Sequence, residues 1–153
     1  MIPPMCPEAL RVGGGERSDV REVVETFYDS VNRRDAAGLS EVIAEYFAPD
    51  VVLRLPDSLP YGGTYEGSDA IERLFVGAAS AEEPVGPAEL ALEEVAECPR
   101  DGEDQVVVRL AFAWIPPGGG EPVRSQSVEW WRFRDLQVVE ITAYYWDTAA
   151  FRR

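Results

Sequence analysis

The spacing of apolar residues changes once along this chain. In three stretches between Val20 and Phe75 they recur three and four positions apart, as one face of a helix requires, whereas beyond Pro87 they tend to alternate with polar residues, as on a strand. A first helix is predicted from Ser18 or Asp19 to about Arg34. Its apolar face is Val20, Val23, Val24, Phe27 and Val31, and Glu22 stands where a capping box places its acid. Asp35 opens a second helix through Leu39, Val42, Ile43 and Phe47, closed by Pro49. Val51–Leu55 reads as a strand, and Tyr61–Gly67 as a short extended piece between turn glycines. Ser68 or Asp69 then caps a third helix through Ile71, Leu74 and Phe75 that ends near Ala79.

Four strands follow, around Leu90 and Leu92, along Val106–Trp114, along Val123–Phe133 and along Val139–Asp147. Pro and Gly clusters at 99–102 and 116–120 separate the first three. Three helices followed by a run of hairpin-connected strands describe an α+β domain with a curved, mostly antiparallel sheet wrapped around its helices. Residues 1–17 carry three prolines and the run Gly13–Gly15, a composition that favours a flexible arm, so a single domain is placed at 18–153.

The last two strands carry the candidate chemistry. Side chains alternate between faces along a strand. One face of the first therefore reads Val123, Ser125, Ser127, Glu129, Trp131, Phe133, and one face of the second Val139, Ile141, Ala143, Tyr145, Asp147. Each places one carboxylate, Glu129 or Asp147, on an otherwise apolar or small face. A buried carboxylate is expensive unless paired or protonated, and such groups concentrate where chemistry happens. The plain alternative is a partly wet carboxylate at a strand end.

Composition narrows the classes. At 153 residues the chain has the length of one domain with a real core. With 28 acidic and 14 basic residues the net charge is -14, which repels phosphate backbones and anionic membrane surfaces, so neither nucleic acid nor membrane is an expected partner. Histidine is absent, which removes Ser-His-Asp triads, Cys-His pairs and nearly all zinc or non-haem iron sites. Cys6 and Cys98 suggest neither a disulfide framework nor a thiol metal site, and no metal or cofactor is expected. The first residues lack the pattern of a secretory signal and no run approaches a membrane span, which places the protein in the cytoplasm by default.

Four segments carry a resemblance: Phe27–Asp35, Tyr46–Leu53, Gly63–Ile71 and the ending Tyr144–Ala150. Together they resemble SnoaL-like polyketide cyclases and ketosteroid isomerases, members of the nuclear transport factor 2-like (NTF2-like) superfamily. The resemblance spans about residues 19–151. It implies a cone of three N-terminal helices on a curved sheet, with an apolar cavity between them as the site. The isomerases' tyrosine donor on the first helix aligns with Phe27, with Tyr28 one step around. Their general-base aspartate, before a proline on the first strand, aligns with Leu55, so steroid isomerisation by that mechanism is not expected. Their protonated aspartic acid aligns with Glu129, and the cyclases' acid/base aspartate near the end of the last strand aligns with Asp147.

The resemblance therefore implies a cofactor-free acid-base enzyme, a cyclase or isomerase acting on a hydrophobic, polyketide-like or polycyclic carbonyl compound. Asp147, Glu129 and Tyr28 are its candidate catalytic residues. Phe27, Tyr61, Tyr65, Phe112, Trp114, Trp131 and Tyr145 are candidate walls of the substrate pocket, although such aromatics also serve as ordinary core. Two carboxylates facing one dry cavity do not both ionise cheaply, which separates an acid from a base. Two other readings stay open: a non-catalytic small-molecule binding module, and an epoxide hydrolase of the Asp-Arg-Asp type, for which Arg132 is out of phase. Val107, Arg109, Val128 and Trp130 share the outward parity, and a homodimer through that sheet face is expected.

Overall fold

The computed structural model describes residues 19–84 and 86–152. The expected arm at 1–17, with Cys6 and the cap at Ser18, lies outside the described residues. Helix α1 (Asp19–Asn32) buries Val20, Val23, Val24, Phe27 and Tyr28, and α2 (Ala36–Tyr46) buries Leu39, Val42 and Ile43. Asp35 caps α2 as its sequence suggests, its side chain accepting a hydrogen bond from Gly38 N at 2.9 Å. Pro49 does not end that helix. The chain passes from Tyr46 straight into β1 (Phe47–Leu55), and Pro49 sits where the register of β1 shifts, which spares the ladder a missing donor.

After β2 (Gly63–Glu66) comes α3 (Ser68–Ala79). Its N-cap is Gly67 at φ 91° rather than Ser68 or Asp69, which form the first turn; a left-handed backbone at the entry favours glycine there. The long strands are β3 (Gly86–Glu97), β4 (Asp104–Ile115), β5 (Val123–Arg134) and β6 (Gln137–Tyr145). A short 3-10 helix, Ala149–Arg152, closes the described chain. No helix of the described residues is long and apolar enough to cross a membrane.

The strands form one six-stranded sheet in the order β2-β1-β6-β5-β4-β3. Among the described residues only β1 and β6 run parallel, because the chain leaves β1 through β2 and α3 and returns beside it from the far edge. The sheet is mixed but mostly antiparallel, and it curves without closing into a barrel, its free edges being β2 and β3. Register shifts in β1, β3 and between β5 and β6 supply local bends. At the first shift of β3, Asn32 at the end of α1 grips Leu90 twice: its amide donates to Leu90 O and its carbonyl accepts from Leu90 N, both at 2.8 Å. That clamp fixes the helix layer against the sheet edge and so sets the width of the space between them.

The inner sheet face follows the predicted alternation along β4, where Val106, Val108, Leu110, Phe112 and Trp114 are all buried, and along β5, where Ser127, Glu129, Trp131 and Phe133 are. On β6 it holds only in the middle. Between Arg132 and Phe133 the register with β6 shifts, so Val138 rather than Val139 is buried, and the strand ends at Tyr145.

Candidate active site

Between α1, α3 and the concave face of the sheet lies a cavity of about 750 Å³. Phe27 and Tyr28 reach it from α1, Phe75 from α3, Phe112 and Trp114 from β4, Trp131 from β5, and Tyr145 from β6. Trp131 anchors the aromatic wall. Its ring meets Phe27 edge-on at 5.4 Å, Tyr28 at 5.9 Å and Phe47 at 5.9 Å, and stacks with Phe133 at 6.2 Å between centroids. Adjacent helix positions 27 and 28 are both buried because α1 packs against α2 as well as against β3 and β4.

Tyr61 arrives on the loop between β1 and β2. That loop is tight: Leu59 N donates to Pro56 O at 3.1 Å and Gly62 N to Leu59 O at 3.0 Å. A Cβ on Gly62 would stand 1.9 Å from Pro56 O, so no larger residue fits. Tyr65 does not line the cavity. Its hydroxyl donates to Tyr61 O at 2.8 Å, which makes it a brace for the loop that carries Tyr61.

Glu129 is the buried carboxyl of this cavity; Glu89, which also lines it, is exposed. It is 8% exposed, and Trp131 Nε1 donates to its Oε1 at 3.2 Å. Burial penalises its charged form and raises its pKa from 4.5 to about 7, with the Trp131 hydrogen bond pulling the other way. Tyr145 and Tyr61 join hydroxyls at 2.8 Å on the same wall, and burial pushes both phenols above their ordinary range, so both stay protonated. Ser127, paired across the sheet with Tyr145, is 3% exposed, and its Oγ has no hydrogen-bond partner among the described residues. Arg34 and Arg124 line the open side and are exposed. Arg34 donates to Ala81 O, and Arg124 pairs with Glu89 at 3.4 Å.

Asp147 is a correction. It is exposed, it is not among the cavity's lining residues, and its Oδ1 accepts from Ala149 N at 3.0 Å. The alternation ends with β6 at Tyr145, and the chain bends into the 3-10 helix that Asp147 caps. Asp147 and Glu129 therefore do not share a cavity. The capped turn carries Phe151, whose buried ring packs on Trp114 at 5.1 Å, Tyr145 at 5.8 Å and Phe112 at 6.3 Å. Arg132 points outward: it binds Glu103 at 2.8 Å and Glu140 at 3.4 Å, away from the site. Sequence reasoning did not single out Ser127 or Phe151. Ser127 lay on the inward face but is small, and Phe151 lay beyond the last predicted strand.

The cavity thus holds one carboxyl that titrates near neutrality, three buried or half-buried phenols, one unsatisfied hydroxyl and a large apolar wall. Such a set has the chemistry to exchange a proton beside an apolar guest. The chain contains no lysine, and among the described residues no three His, Cys, Asp or Glu converge as a metal site needs.

The raised pKa of Glu129 also predicts how stability depends on pH. Below about pH 4.5 both folded and unfolded chains hold this proton. As pH rises toward about 7 the unfolded chain loses it first, so the stability that Glu129 contributes in acid is lost across that interval, by about 3 kcal/mol. Glu129→Gln removes the penalty. In urea unfolding the variant is expected to gain on the wild type at pH 8 and far less at pH 5. An equal gap at both values would contradict the burial argument.

The comparisons with known proteins agree with this architecture. Bal32a, from a soil-derived mobile gene cassette, superposes with a TM-score of 0.68 at 17% identity, over 87% of this chain and 93% of that one. An NTF2-like protein of unknown function from Burkholderia pseudomallei gives 0.64 at 27% identity over 87% and 94%. TerC, co-crystallised with polyporic acid, gives 0.66 at 23% identity over 88% and 96%. The comparison with curated proteins finds no match. The sequence model of the SnoaL-like domain matches residues 24–141, from the middle of α1 to the middle of β6. With the NTF2-like arrangement of three helices on a curved six-stranded sheet, that match makes this chain a member of the SnoaL-like domain family.

Proposed function

We propose that the protein is a cofactor-free acid-base enzyme of the cyclase or isomerase type that acts on a hydrophobic carbonyl compound in the cavity, with Glu129 as the group that moves the proton. The observation that carries this reading is a buried carboxyl, Glu129, with a pKa of about 7, on the wall of an apolar space of about 750 Å³; the other carboxyl that lines this space, Glu89, is exposed and paired with Arg124. A group titrating near the working pH is present in both forms, which favours transfer in both directions. As carboxylate, Glu129 takes a proton from a carbon next to the guest's carbonyl, leaving an enolate. As the acid so formed, it returns that proton to another carbon. One residue thus serves the two steps that two carboxylates were expected to share. Aromatic walls hold the guest in a fixed pose, which lowers the entropic part of the barrier.

The test is solvent deuterium exchange at the acidic C–H positions of 2-tetralone, followed by NMR. Protein-catalysed exchange that saturates with ketone supports the reading. Saturable binding of the ketone with no exchange above the protein-free rate overturns the catalytic part and leaves a binding module. That second reading is favoured by one specific observation, the exclusion of Asp147 from the cavity. TerC resembles this chain in fold and was co-crystallised with polyporic acid; by that analogy a small organic molecule is a fitting occupant. Epoxide hydrolysis by an Asp-Arg-Asp set is not favoured, since Arg132 and Asp147 both lie outside the cavity.

The same proposal includes a homodimer through the outer sheet face. Val128 pairs with Tyr144 across β5 and β6, and Val107 with Trp130 across β4 and β5. Val128 and Trp130 are each 37% exposed and Tyr144 59%, an apolar cluster that a solvated face seldom carries. Sedimentation at micromolar concentration is expected to show a dimer that Trp130→Glu dissociates. A wild type that stays monomeric would contradict it.

A further inference from the structure

The Tyr61–Tyr145 bond leaves a proton over. Two phenols carry two O–H groups, the contact at 2.8 Å uses one, and among the described residues no second hydrogen bond takes up the other. A hydroxyl that accepts one bond while donating another is polarised and donates more strongly. Directly across the sheet from Tyr145 stands Ser127, whose buried Oγ is likewise without a partner, a condition that buried polar atoms rarely tolerate. Ser127 is one of the residues that line the cavity. Glu129 lies two residues along β5 on the same face as Ser127. Hydrogen-bonding capacity is therefore left over where β5 and β6 pair, and on the α1 side the Tyr28 hydroxyl, which makes no hydrogen bond among the described residues, adds one more polar group to a mostly apolar lining.

We propose that the Tyr61–Tyr145 dyad and Ser127 form an oxygen-binding subsite that selects neutral ketones over hydrocarbons of the same shape, holding the carbonyl oxygen while the ring system lies on the aromatic wall beside Glu129. These are specificity-determining residues, and the inference rests on the reading of the cavity as a ligand site. Neutrality follows from the surroundings. The arginines at the open side are engaged by Ala81 O and Glu89, and an anionic guest would share a dry space with Glu129. The subsite also supplies what proton transfer needs, since donors aimed at the oxygen stabilise the enolate charge that develops there.

Fluorenone and fluorene provide the test, being rigid tricyclic molecules of nearly one shape that differ in a carbonyl against a methylene. Wild-type protein is expected to bind fluorenone about tenfold more tightly than fluorene, the margin of one well-made hydrogen bond to an otherwise unsatisfied donor. The infrared carbonyl stretch of bound fluorenone should lie below its value in a hydrocarbon solvent. The double variant Tyr61→Phe/Tyr145→Phe should lose both the preference and the shift while still binding fluorene, which shows that the cavity is intact, and Ser127→Ala should lose part of each. Equal binding of the two probes by the wild type, with an unshifted stretch, overturns the subsite and leaves the apolar cavity as a ligand site. Preference and shift that survive the double variant overturn the dyad's role. Failure to bind either probe overturns the ligand-site reading together with the inference.

Discussion

Glu129→Gln is expected to slow exchange of the 2-tetralone C–H protons by about 100-fold or more, the usual contribution of a positioned general acid-base group. Glutamine has the same shape, and its amide oxygen can still accept from Trp131 Nε1, so packing on the cavity wall is retained. What it lacks is a proton that comes and goes near neutral pH. Affinity for the ketone should change little, because the aromatic walls supply most of it. The loss therefore falls on turnover and not on half-saturation. A variant that exchanges at the wild-type rate would remove Glu129 from the chemistry. Asp147→Asn makes the complementary comparison: with its side chain capping the terminal turn outside the cavity, exchange should continue at close to the wild-type rate.

Trp131→Ala is expected to be the most damaging single substitution for stability. The side chain is fully buried and touches four other rings, so its removal discards apolar burial and opens a hole that the sheet cannot collapse to fill. The cost is about 3–5 kcal/mol in urea or guanidinium unfolding. Trp131→Phe keeps most of the packing and separates a second role. The indole N–H stabilises ionised Glu129, so its loss should raise the Glu129 pKa above about 7. A Trp131→Ala protein as stable as wild type would show that the aromatic wall is not part of the core.

The fold was legible because two periods mark it. The three-and-four spacing along α1 and α2 and the alternation along β4 and β5 each survive in the structure as a buried face. Glu129 and Trp131 were found the same way, since β5 is unbroken from Val123 to Phe133 and one-sided burial fixes its parity. Parity failed on β6 for physical reasons. It assumes that a strand neither bulges nor stops, and β6 bulges at its start and stops at Tyr145. A local signal at the end was available: Asp147 is followed by Thr148, Ala149 and Ala150, the pattern of a capping acid before small residues that enter a turn. Tyr65 on a strand of four residues offered too short a pattern to set its face. Ser127 was invisible as a site because its significance lies in a partner it lacks, which depends on every neighbouring element and not on spacing.

The proposed proton transfer requires a carboxyl that holds its proton near neutral pH inside an apolar cavity. Carbon-detected NMR of the Glu129 side-chain carboxyl, assigned by difference against Glu129→Gln and followed from pH 4 to pH 9, measures this directly. The predicted result is a single inflection near pH 7, which shifts further upward when Trp131 is replaced by phenylalanine. An inflection near pH 4.5, the value of an ordinary glutamate, would contradict the burial of Glu129 and with it the proposed proton transfer.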